Sequence, residues 1–429
     1  MSRRGRSRCA RWLQRRACII AAMGEPSYPL PTRDATFTAF AAHVSPGKVA
    51  LFRDAGFDVC MGRREGPFFY DAFDGRRYWN CHCNGGVFNL GHRHPAVVGA
   101  VRRALDHLDI GNHHLVSGYR AALAARLAAT TGGRLSGVVF AAGGGEAVDL
   151  AIKVCRGATG RAGIVSARGG YHGHTGYALA AGDPQYREPF GADLPGFVQV
   201  PFDDVAAMDA AVGDDTAAVL LEPIPATLGM PLPSDGYLAA VQRICRDRGA
   251  KLIVDEVQTG LGRTGAMWAH EHDGVEPDAI VTGKGLSGGV YPIAATLLTR
   301  ELHAVFDDRP FAHVSTFGGA ELGCVAALAV LDAVEAPGFL DGVRRAAGIF
   351  ADALAGGSRP FALRQRGLMM GLKFGVPRGG MFAAKLLYDA GVFAVWANND
   401  DSVLQLLPPL VLTDDQAAEL AATVSRALP

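Results

Sequence analysis

Two short apolar runs that end in polar residues constrain this chain more than any other feature of its sequence. The run at residues 252–254 stops at the carboxylates Asp255 and Glu256. The run at residues 279–281 stops just before Lys284. Such runs are typical of buried strands in a parallel sheet, whose carboxyl edge binds ligands in open α/β folds. The stretch between them is long enough for one crossover connection, so the sequence predicts that two strands bring an acid and a lysine to one crevice.

Lys284 stands between two glycines just past a predicted buried strand, where a solvated cation is unexpected. Desolvation lowers the pKa of an amine and makes the amine nucleophilic, as Schiff-base chemistry requires. An acid such as Asp255 could hold the protonated ring nitrogen of pyridoxal phosphate, which serves as an electron sink. A structural lysine that caps a strand or helix is the alternative, and the two residues by themselves leave both open.

A glycine loop predicts an anion site elsewhere in the chain. A short apolar run at residues 138–140 precedes Gly143, Gly144 and Gly145, and an amphipathic helical pattern follows from Ala147. Free backbone N–H groups and the helix dipole both favour a phosphate at such a helix start. A tight strand-to-helix turn without a ligand is the alternative.

The segments LIVDEVQTGLGRTG (residues 252–265) and DAIVTGKGLSGG (residues 278–289) resemble the signature of the class III pyridoxal-phosphate aminotransferases. Further matches extend the resemblance over most of the chain. The resemblance implies that Asp255 pairs with the pyridine nitrogen of the cofactor and that Gln258 contacts the ring hydroxyl. It also implies that Lys284 forms the Schiff base with pyridoxal phosphate.

The same resemblance assigns further cofactor contacts. It implies that the glycine loop holds the cofactor phosphate, mainly through the backbone amides of Gly144 and Gly145, because the hydroxyl side chains usual in the family are missing here. Tyr171 is expected to stack on the cofactor ring, although ordinary loop packing is the alternative. Glu222 is expected near the cofactor without touching it. Thr316 is expected to reach across a homodimer interface to the phosphate in the partner subunit's site.

Two positions depart from the family pattern. Thr227 stands where many members have a gate glutamate, and Gln405 stands where members that bind an α-carboxylate have an arginine. A neutral amide cannot replace the charge of a bidentate arginine. We therefore expect that at least one substrate lacks an α-carboxylate at the usual position.

Composition limits the other classes to which the chain could belong. With 429 residues and 49% hydrophobic content, the chain can bury a large core in two or three domains. The 42 basic and 42 acidic residues leave no formal net charge, which argues against nucleic acid or an anionic membrane as the main partner. The sequence has no apolar run long enough for a transmembrane helix. We expect a cytoplasmic protein whose eight scattered cysteines are free thiols.

No metal site is predicted. Cys81, His82 and Cys83 lack the paired spacing of a zinc site. His92 and His94 precede a proline at a predicted helix start and are interpreted as loop and cap residues.

The first 23 residues are unusual, with seven arginines and no acid among the first 16. The apolar stretch that follows is too short for a typical signal-peptide core, so targeting is the weaker interpretation. A disordered tail, or an over-long gene start with Met23 as the alternative first residue, is preferred.

The predicted fold is α/β, that of the fold type I enzymes: a mainly parallel, seven-stranded-type sheet flanked by helices, with a small α+β domain. The predicted division is residues 1–23 as the tail, 24–75 as an N-terminal part of the small domain, 76–336 as the large cofactor-binding domain, and 337–429 as the C-terminal small domain. The predicted reaction is amino transfer between an amine or amino acid and an oxoacid, aldehyde or ketone. Lys284 would move the proton, and Asp255 would keep the ring nitrogen protonated.

Three alternatives stay open at this point. Class III relatives include an aminomutase, a decarboxylase and phospho-lyases, and all would retain Lys284 and Asp255. A non-catalytic binding protein with the same fold is the second alternative. Nucleotide binding at Gly143 is the third, although the loop lacks the residues and glycine spacing of known nucleotide motifs.

Overall fold

The computed structural model describes residues 28–356 and 359–428. The predicted tail at residues 1–23 therefore lies outside the described residues. The chain divides into two compact units, of which the first comprises the residues up to Arg63 together with Tyr70–Arg76. The second comprises Arg64–Phe69 and all residues from Arg77 onward. The predicted domain boundaries at residues 75 and 336 stay a prediction.

The first unit contains two short helices, Arg33–His43 and Pro46–Asp54. Each begins with a hydroxyl cap: Thr32 accepts a hydrogen bond from a first-turn N–H group, and Ser45 does the same. The strands Met61–Glu65 and Phe68–Asp71 lie where the chain passes between the two units.

A seven-stranded sheet forms the centre of the second unit. All of its strands run in parallel except Ala294–Leu298, which is antiparallel to both of its neighbours. In spatial order the strands are Gly137–Ala141, Ala294–Leu298, Ala279–Thr282, Lys251–Asp255, Thr216–Leu221, Gly163–Ala167 and Phe197–Val200. The sheet confirms the predicted fold class, a mainly parallel sheet of seven strands.

The two apolar runs are neighbours at the middle of this sheet. Ile253 lies opposite Ala279, and Asp255 lies opposite Val281. Every residue of Ala279–Thr282 is buried, which is expected for a strand with helices on both faces. The polar residues that follow the two strands therefore share one carboxyl edge, as predicted.

Helices cover both faces of the sheet and complete the second unit. The helix after the glycine loop, Gly144–Thr159, matches the predicted amphipathic pattern and buries its apolar side in the largest core cluster. The α-helices are Pro95–Ala104, Gly118–Ala129, Gly144–Thr159, Gly176–Ala180, Pro184–Arg187, Val205–Ala211, Tyr237–Arg248, Arg300–His303, Glu321–Val334, Phe339–Leu354, Gly379–Asp389 and Asp414–Ala427, and Cys83–Gly86 forms a left-handed turn. Short 3-10 turns occur at Glu188–Phe190, Ala269–Asp273, Lys284–Ser287 and Ala304–Phe306.

A second, antiparallel sheet follows near the C-terminus. Its spatial order is Phe361–Arg366, Met369–Phe374, Asp400–Leu406 and Val395–Ala397. The short strand Val392–Phe393 instead pairs in parallel with Arg77–Asn80. The strand Asp400–Leu406 ends just before Pro408 and Pro409, which cannot donate ladder hydrogen bonds.

No single helix in the described ranges is long and apolar enough to cross a membrane. The helices Glu321–Val334 and Phe339–Leu354 reach the length and composition of a membrane span only when they are taken together. They are bent by 68° relative to each other. The six cysteines in the described part of the chain are free and buried.

Candidate active site

Lys284 lies at the carboxyl edge of the central sheet, two residues after the strand Ala279–Thr282. Its φ is +38°, a left-handed conformation that is uncommon for a residue with a side chain. Its amine Nζ donates a hydrogen bond to Oε1 of Gln258 at 2.6 Å. The structure thus joins Lys284 to a residue that the family resemblance also assigns to the cofactor.

The surroundings of Lys284 favour its neutral form. Burial lowers the pKa of the amine, and the charges of Glu222 and Asp255 raise it by less, so the pKa lies below its ordinary value. A neutral amine is the nucleophilic form of lysine. The electrostatics therefore agree with the role predicted for this side chain.

Asp255 ends its strand as a buried carboxylate, with 4% of the residue exposed. Its Oδ2 lies 2.8 Å from Nδ1 of His172, and its Oδ1 accepts a hydrogen bond from the backbone N–H of Val257 at 3.1 Å. Burial by itself would lower the pKa of His172, but the hydrogen bond and charge of Asp255 more than offset this, and the pKa is raised. These two contacts hold the Asp255 carboxylate in one orientation at the sheet edge.

Sequence reasoning missed the contact between His172 and Asp255. His172 comes shortly after the strand Gly163–Ala167, which is separated from Lys251–Asp255 by only one strand in the sheet. Parallel strands meet their ligands at one carboxyl edge. That rule could have paired this histidine with the acid, since it had already paired the acid with Lys284.

Tyr171 lies beside this pair, at the end of the turn that follows the strand. Its backbone N–H donates to Oε2 of Glu222 at 2.9 Å, and its side chain is partly exposed. Burial raises the pKa of Glu222, and Asp255 raises it further, against the opposite effects of His172 and Lys284. Glu222 thus supports the turn that carries Tyr171, and its place beside the cofactor stays a prediction.

The glycine loop approaches the same edge. The helix Gly144–Thr159 begins after Gly143, which has no side chain to occupy the first-turn N–H groups. A Cβ built on Gly144 would lie 3.3 Å from Val257, and a Cβ built on Gly283 would lie 3.8 Å from the Cα of Gly144. The start of the helix therefore faces the peptide just before Lys284, in an orientation that favours an anion.

Gly145 lies one residue further into this helix. A Cβ built on it would lie 2.7 Å from the hydroxyl of Thr175, and that hydroxyl donates to Asp149 at 2.8 Å. Glu146 accepts a hydrogen bond from the N–H of Ala142 at 2.8 Å and so closes the loop. A larger residue at position 145 would push the two chain segments apart.

The left-handed turn Cys83–Gly86 packs against the amine of Lys284. Cys83, Asn84, Gly85 and Gly86 all have positive φ. A Cβ built on Gly85 would lie 3.2 Å from Nζ of Lys284 and 3.4 Å from Oε1 of Gln258. The turn thus brings bare backbone against the amine, a contact that the sequence pattern did not indicate.

Thr316 is the predicted site residue that the structure does not bring to the others. It lies exposed in the loop between Phe306 and Glu321, and its hydroxyl makes no hydrogen bond within the described part of the chain. Nearby in this loop, Nδ1 of His313 lies 2.9 Å from the amine of Lys153. A role for Thr316 in a second subunit's site remains a prediction.

Thr227 and Gln405, the two residues that depart from the family pattern, both donate side-chain hydrogen bonds to backbone carbonyls. The hydroxyl of Thr227 donates to the carbonyl of Gly169 at 2.8 Å. The buried side chain of Gln405 donates through Nε2 to the carbonyl of Ala226 at 3.0 Å. Within the described residues, no group of three or more His, Cys, Asp or Glu side chains is placed to hold a metal ion.

Comparisons with known proteins agree with this geometry. The family model described as aminotransferase class-III matches residues 53–428. An uncharacterized aminotransferase of Archaeoglobus fulgidus is 53% identical over 382 residues, which cover 88% of this chain and 90% of that protein.

Solved structures of similar fold are also aminotransferases. The ornithine aminotransferase of Toxoplasma gondii, with partial occupancy of PLP at its active site, is 26% identical at a TM-score of 0.85 and covers 93% of this chain and 95% of its own. The acetylornithine aminotransferase of Elizabethkingia anophelis is 26% identical at a TM-score of 0.76, with coverage of 89% and 98%. The taurine:2-oxoglutarate aminotransferase of Bifidobacterium kashiwanohense, solved with PLP and glutamate, is 26% identical at a TM-score of 0.79, with coverage of 86% and 91%.

These matches confirm the predicted fold type and favour amino transfer over the mutase, decarboxylase and lyase alternatives. They extend over nearly the whole of the described chain, including the strand edges that carry Asp255 and Lys284. This chain belongs to the class III aminotransferases, the pyridoxal-phosphate-dependent transaminases of fold type I.

Proposed function

We propose that Lys284, Asp255 and Gln258 form the centre at which this aminotransferase moves an amino group from an amine or amino acid to an oxoacid, aldehyde or ketone. One observation carries the proposal: the Lys284 amine is held 2.6 Å from Gln258 and has its pKa lowered by burial. The buried pair of Asp255 and His172 lies at the same sheet edge. An amine with a lowered pKa and a buried carboxyl group therefore lie at one sheet edge, which supports the proposal.

The residues present fit pyridoxal phosphate. Asp255 would hold the ring nitrogen, Gln258 the ring hydroxyl, and Lys284 the aldehyde carbon. Because Gly85 has no side chain, only backbone lies against Nζ of Lys284 on that side. When bound, the cofactor supplies an electron sink that stabilises negative charge on the reacting substrate carbon.

The remaining cofactor contacts are proposed for the glycine loop, Tyr171 and Thr316. The first-turn N–H groups of Gly144 and Gly145 would hold the phosphate, favoured by the helix dipole. Tyr171 would lie against the face of the ring, because its turn is fixed by Glu222 at the same edge. Thr316 would hold the phosphate in the partner subunit's site.

Proton transfer is proposed for Lys284. Nζ would take a proton from the amino-bearing carbon of the donor and, as a general acid, pass it to the carbon that was the cofactor's aldehyde. The hydrogen bond to Gln258 fixes the direction in which Nζ points. His172 and the backbone N–H of Val257 hold the Asp255 carboxylate in place.

The substrate hypothesis from the sequence is retained. Gln405 is neutral, and its amide N–H is already donated to Ala226, so this side chain offers no charge to a carboxylate. The hydroxyl of Thr227 likewise donates its hydrogen bond to the carbonyl of Gly169. We propose that at least one substrate lacks an α-carboxylate at the usual position, so an exchange restricted to 2-amino acids in both half-reactions would contradict this hypothesis.

We also propose a homodimer, a cytoplasmic location and the predicted domain division. The loop that holds Thr316 exposes the apolar side chains Phe311, Val314 and Phe317, which supports an interface with a second copy. The free, buried cysteines support a reducing compartment. A small domain from residues 24–75 and 337–429 is proposed from the family resemblance.

A single-turnover experiment tests the function. Enzyme loaded with pyridoxal phosphate is mixed with a donor and no acceptor, with ornithine, acetylornithine, taurine and simple amines as the panel. We expect one equivalent of carbonyl product and conversion of the cofactor to its amino form, which an added oxoacid then reverses. Release of carbon dioxide or phosphate, or an isomerised amine without carbonyl product, would instead support one of the alternative reactions.

A further inference from the structure

We propose that Asn399 is a positioning residue for Tyr171, although the two lie in turns next to different sheets and far apart in sequence. The inference rests on the proposed function, in which Tyr171 lies against the cofactor ring. Asn399 sits in the tight turn between the strands Val395–Ala397 and Asp400–Leu406 and is half-buried. Its contacts reach Tyr171 by two separate routes.

All hydrogen-bonding groups of the Asn399 side chain are used. A carboxamide offers two N–H donors and an oxygen with two lone pairs. Nδ2 donates to the carbonyl of Gly169 at 3.0 Å and to Oδ2 of Asp183 at 3.2 Å. Oδ1 accepts from Nε2 of Gln185 at 2.8 Å and from the hydroxyl of Tyr186 at 2.9 Å. A fully satisfied amide has one favourable orientation, so the turn and its neighbours are fixed together.

The first route runs through the backbone. The carbonyl of Gly169 accepts hydrogen bonds from Asn399 and from the hydroxyl of Thr227, and the N–H of Gly169 donates to Asp183 at 2.8 Å. The backbone N–H of Asn399 also donates to the carbonyl of Thr227 at 2.9 Å. Gly169 precedes Tyr171 by two residues, so these hydrogen bonds fix the beginning of the turn that carries the Tyr171 ring.

The second route runs through side-chain rings. The hydroxyl of Tyr186 is bonded to Asn399, and the ring of Tyr186 lies 5.3 Å from that of His174. The ring of His174 in turn packs edge-on against Tyr171 at 5.1 Å. Removing the Asn399 amide therefore weakens the support of Tyr171 on its backbone side and on its ring side at once, while the hydrogen bond from Tyr171 to Glu222 remains.

A double-mutant cycle separates positioning from a merely structural role. Asn399→Ala, Tyr171→Ala and the double variant are compared by the dissociation constant of pyridoxal phosphate, followed by tyrosine and cofactor fluorescence. We expect Asn399→Ala to weaken cofactor binding about tenfold, and to weaken it less than about twofold further when Tyr171 is already alanine. Asn398→Ala, the exposed neighbour in the same turn, is the matched control and should leave binding unchanged.

Full additivity of the two substitutions would overturn the proposal, and so would an unchanged dissociation constant in Asn399→Ala. If Asn399→Ala does not fold, Tyr186→Phe removes one hydrogen bond of the ring route and enters the same cycle. It should weaken binding about threefold with Tyr171 present and not measurably without it. If wild-type protein binds no pyridoxal phosphate, the proposed function itself fails, and this outcome is distinct from normal binding without coupling between the two residues.

Discussion

Single residues around the lysine amine show why glycine stands at position 85. Cys83 and Asn84 have φ of 49° and 51°, so this left-handed turn accepts side chains. Gly85 has a similar φ of 66°, yet a Cβ there would meet Lys284 and Gln258. The backbone conformation at position 85 does not by itself require glycine. Glycine is required because a Cβ there would lie too close to the amine of Lys284.

Gly85→Ala should therefore reduce catalysis more than stability. The added methyl group would displace Nζ of Lys284, and we expect a loss of about tenfold or more in kcat/KM, as misplaced catalytic groups generally cause. The backbone strain should cost about 1 kcal/mol. Gly132→Ala is the matched control, because Gly132 has a φ of 62° and open space around its Cβ position. Equal activity of the two variants would show that the space at Gly85 is not used.

The pair of His172 and Asp255 predicts a pH-dependent contribution to stability. Burial lowers the pKa of His172, but Asp255 raises it by more, so the folded-state pKa exceeds the unfolded value of about 6.5. Such a group stabilises the folded state fully below the unfolded pKa, and the contribution is lost as pH rises through the folded pKa. His172→Gln should thus lower the melting temperature of the cofactor-free protein more below about pH 6 than near pH 9. If the decrease in melting temperature caused by His172→Gln does not vary with pH, the raised pKa of His172 is refuted.

At the scale of strands and loops, the sequence predicted which residues lie at strand ends better than it predicted which side chains contact each other. The strand-edge rule placed Asp255 and Lys284 correctly because each lies at the end of a recognisable apolar run. It did not place His172 against Asp255, because a turn residue carries no periodic signal for its partner. The strand Ala294–Leu298 was also missed, since a short run of small apolar residues resembles a buried helix segment as much as a strand.

The loop after Asp255 is anchored by a buried arginine. Arg263 donates through Nη1 to the carbonyls of Leu368 and Pro408 at 2.9 and 2.6 Å, and through Nη2 to Oδ1 of Asn89 at 2.6 Å. Burial lowers its pKa to about 10, which leaves the guanidinium charged at neutral pH. One side chain thus holds the loop against two later segments and the region near residue 89.

Arg263→Met should destabilise the protein, because it removes three hydrogen bonds to groups that stay buried. We expect a loss of about 3 kcal/mol in the free energy of unfolding, measured with denaturant at a fixed cofactor concentration. Arg243→Met is the control at an exposed helix position and should change the free energy by less than about 0.5 kcal/mol. A similar small change in both variants would contradict the anchoring role.

For the whole molecule, an exposed apolar patch predicts self-association. Leu115 and Val116 lie in one loop, and Phe311 and Phe317 lie in another, all largely exposed. The ring of His114 packs against Phe311 at 5.7 Å, so the two loops are adjacent. Patches of this kind mark protein interfaces, and here a second copy of the chain would also receive Thr316.

Phe311→Asp should convert the proposed dimer to a monomer, because a carboxylate would be buried at the interface. Sedimentation velocity measures the change, and cofactor affinity should fall together with dimerisation if Thr316 serves the partner subunit's site. Phe382→Asp, an exposed phenylalanine in the helix Gly379–Asp389, is the control. A wild-type protein that sediments as a monomer while retaining full activity would refute the proposed composite site.

The central claim is that Lys284 carries the cofactor, and borohydride reduction followed by peptide mapping tests it most directly. Wild-type protein loaded with pyridoxal phosphate is reduced and digested, and the modified peptides are identified by mass spectrometry. We predict one modified lysine per chain, Lys284, and no modification in Lys284→Ala. A label on another lysine, or equal labelling of Lys284→Ala, would contradict the account.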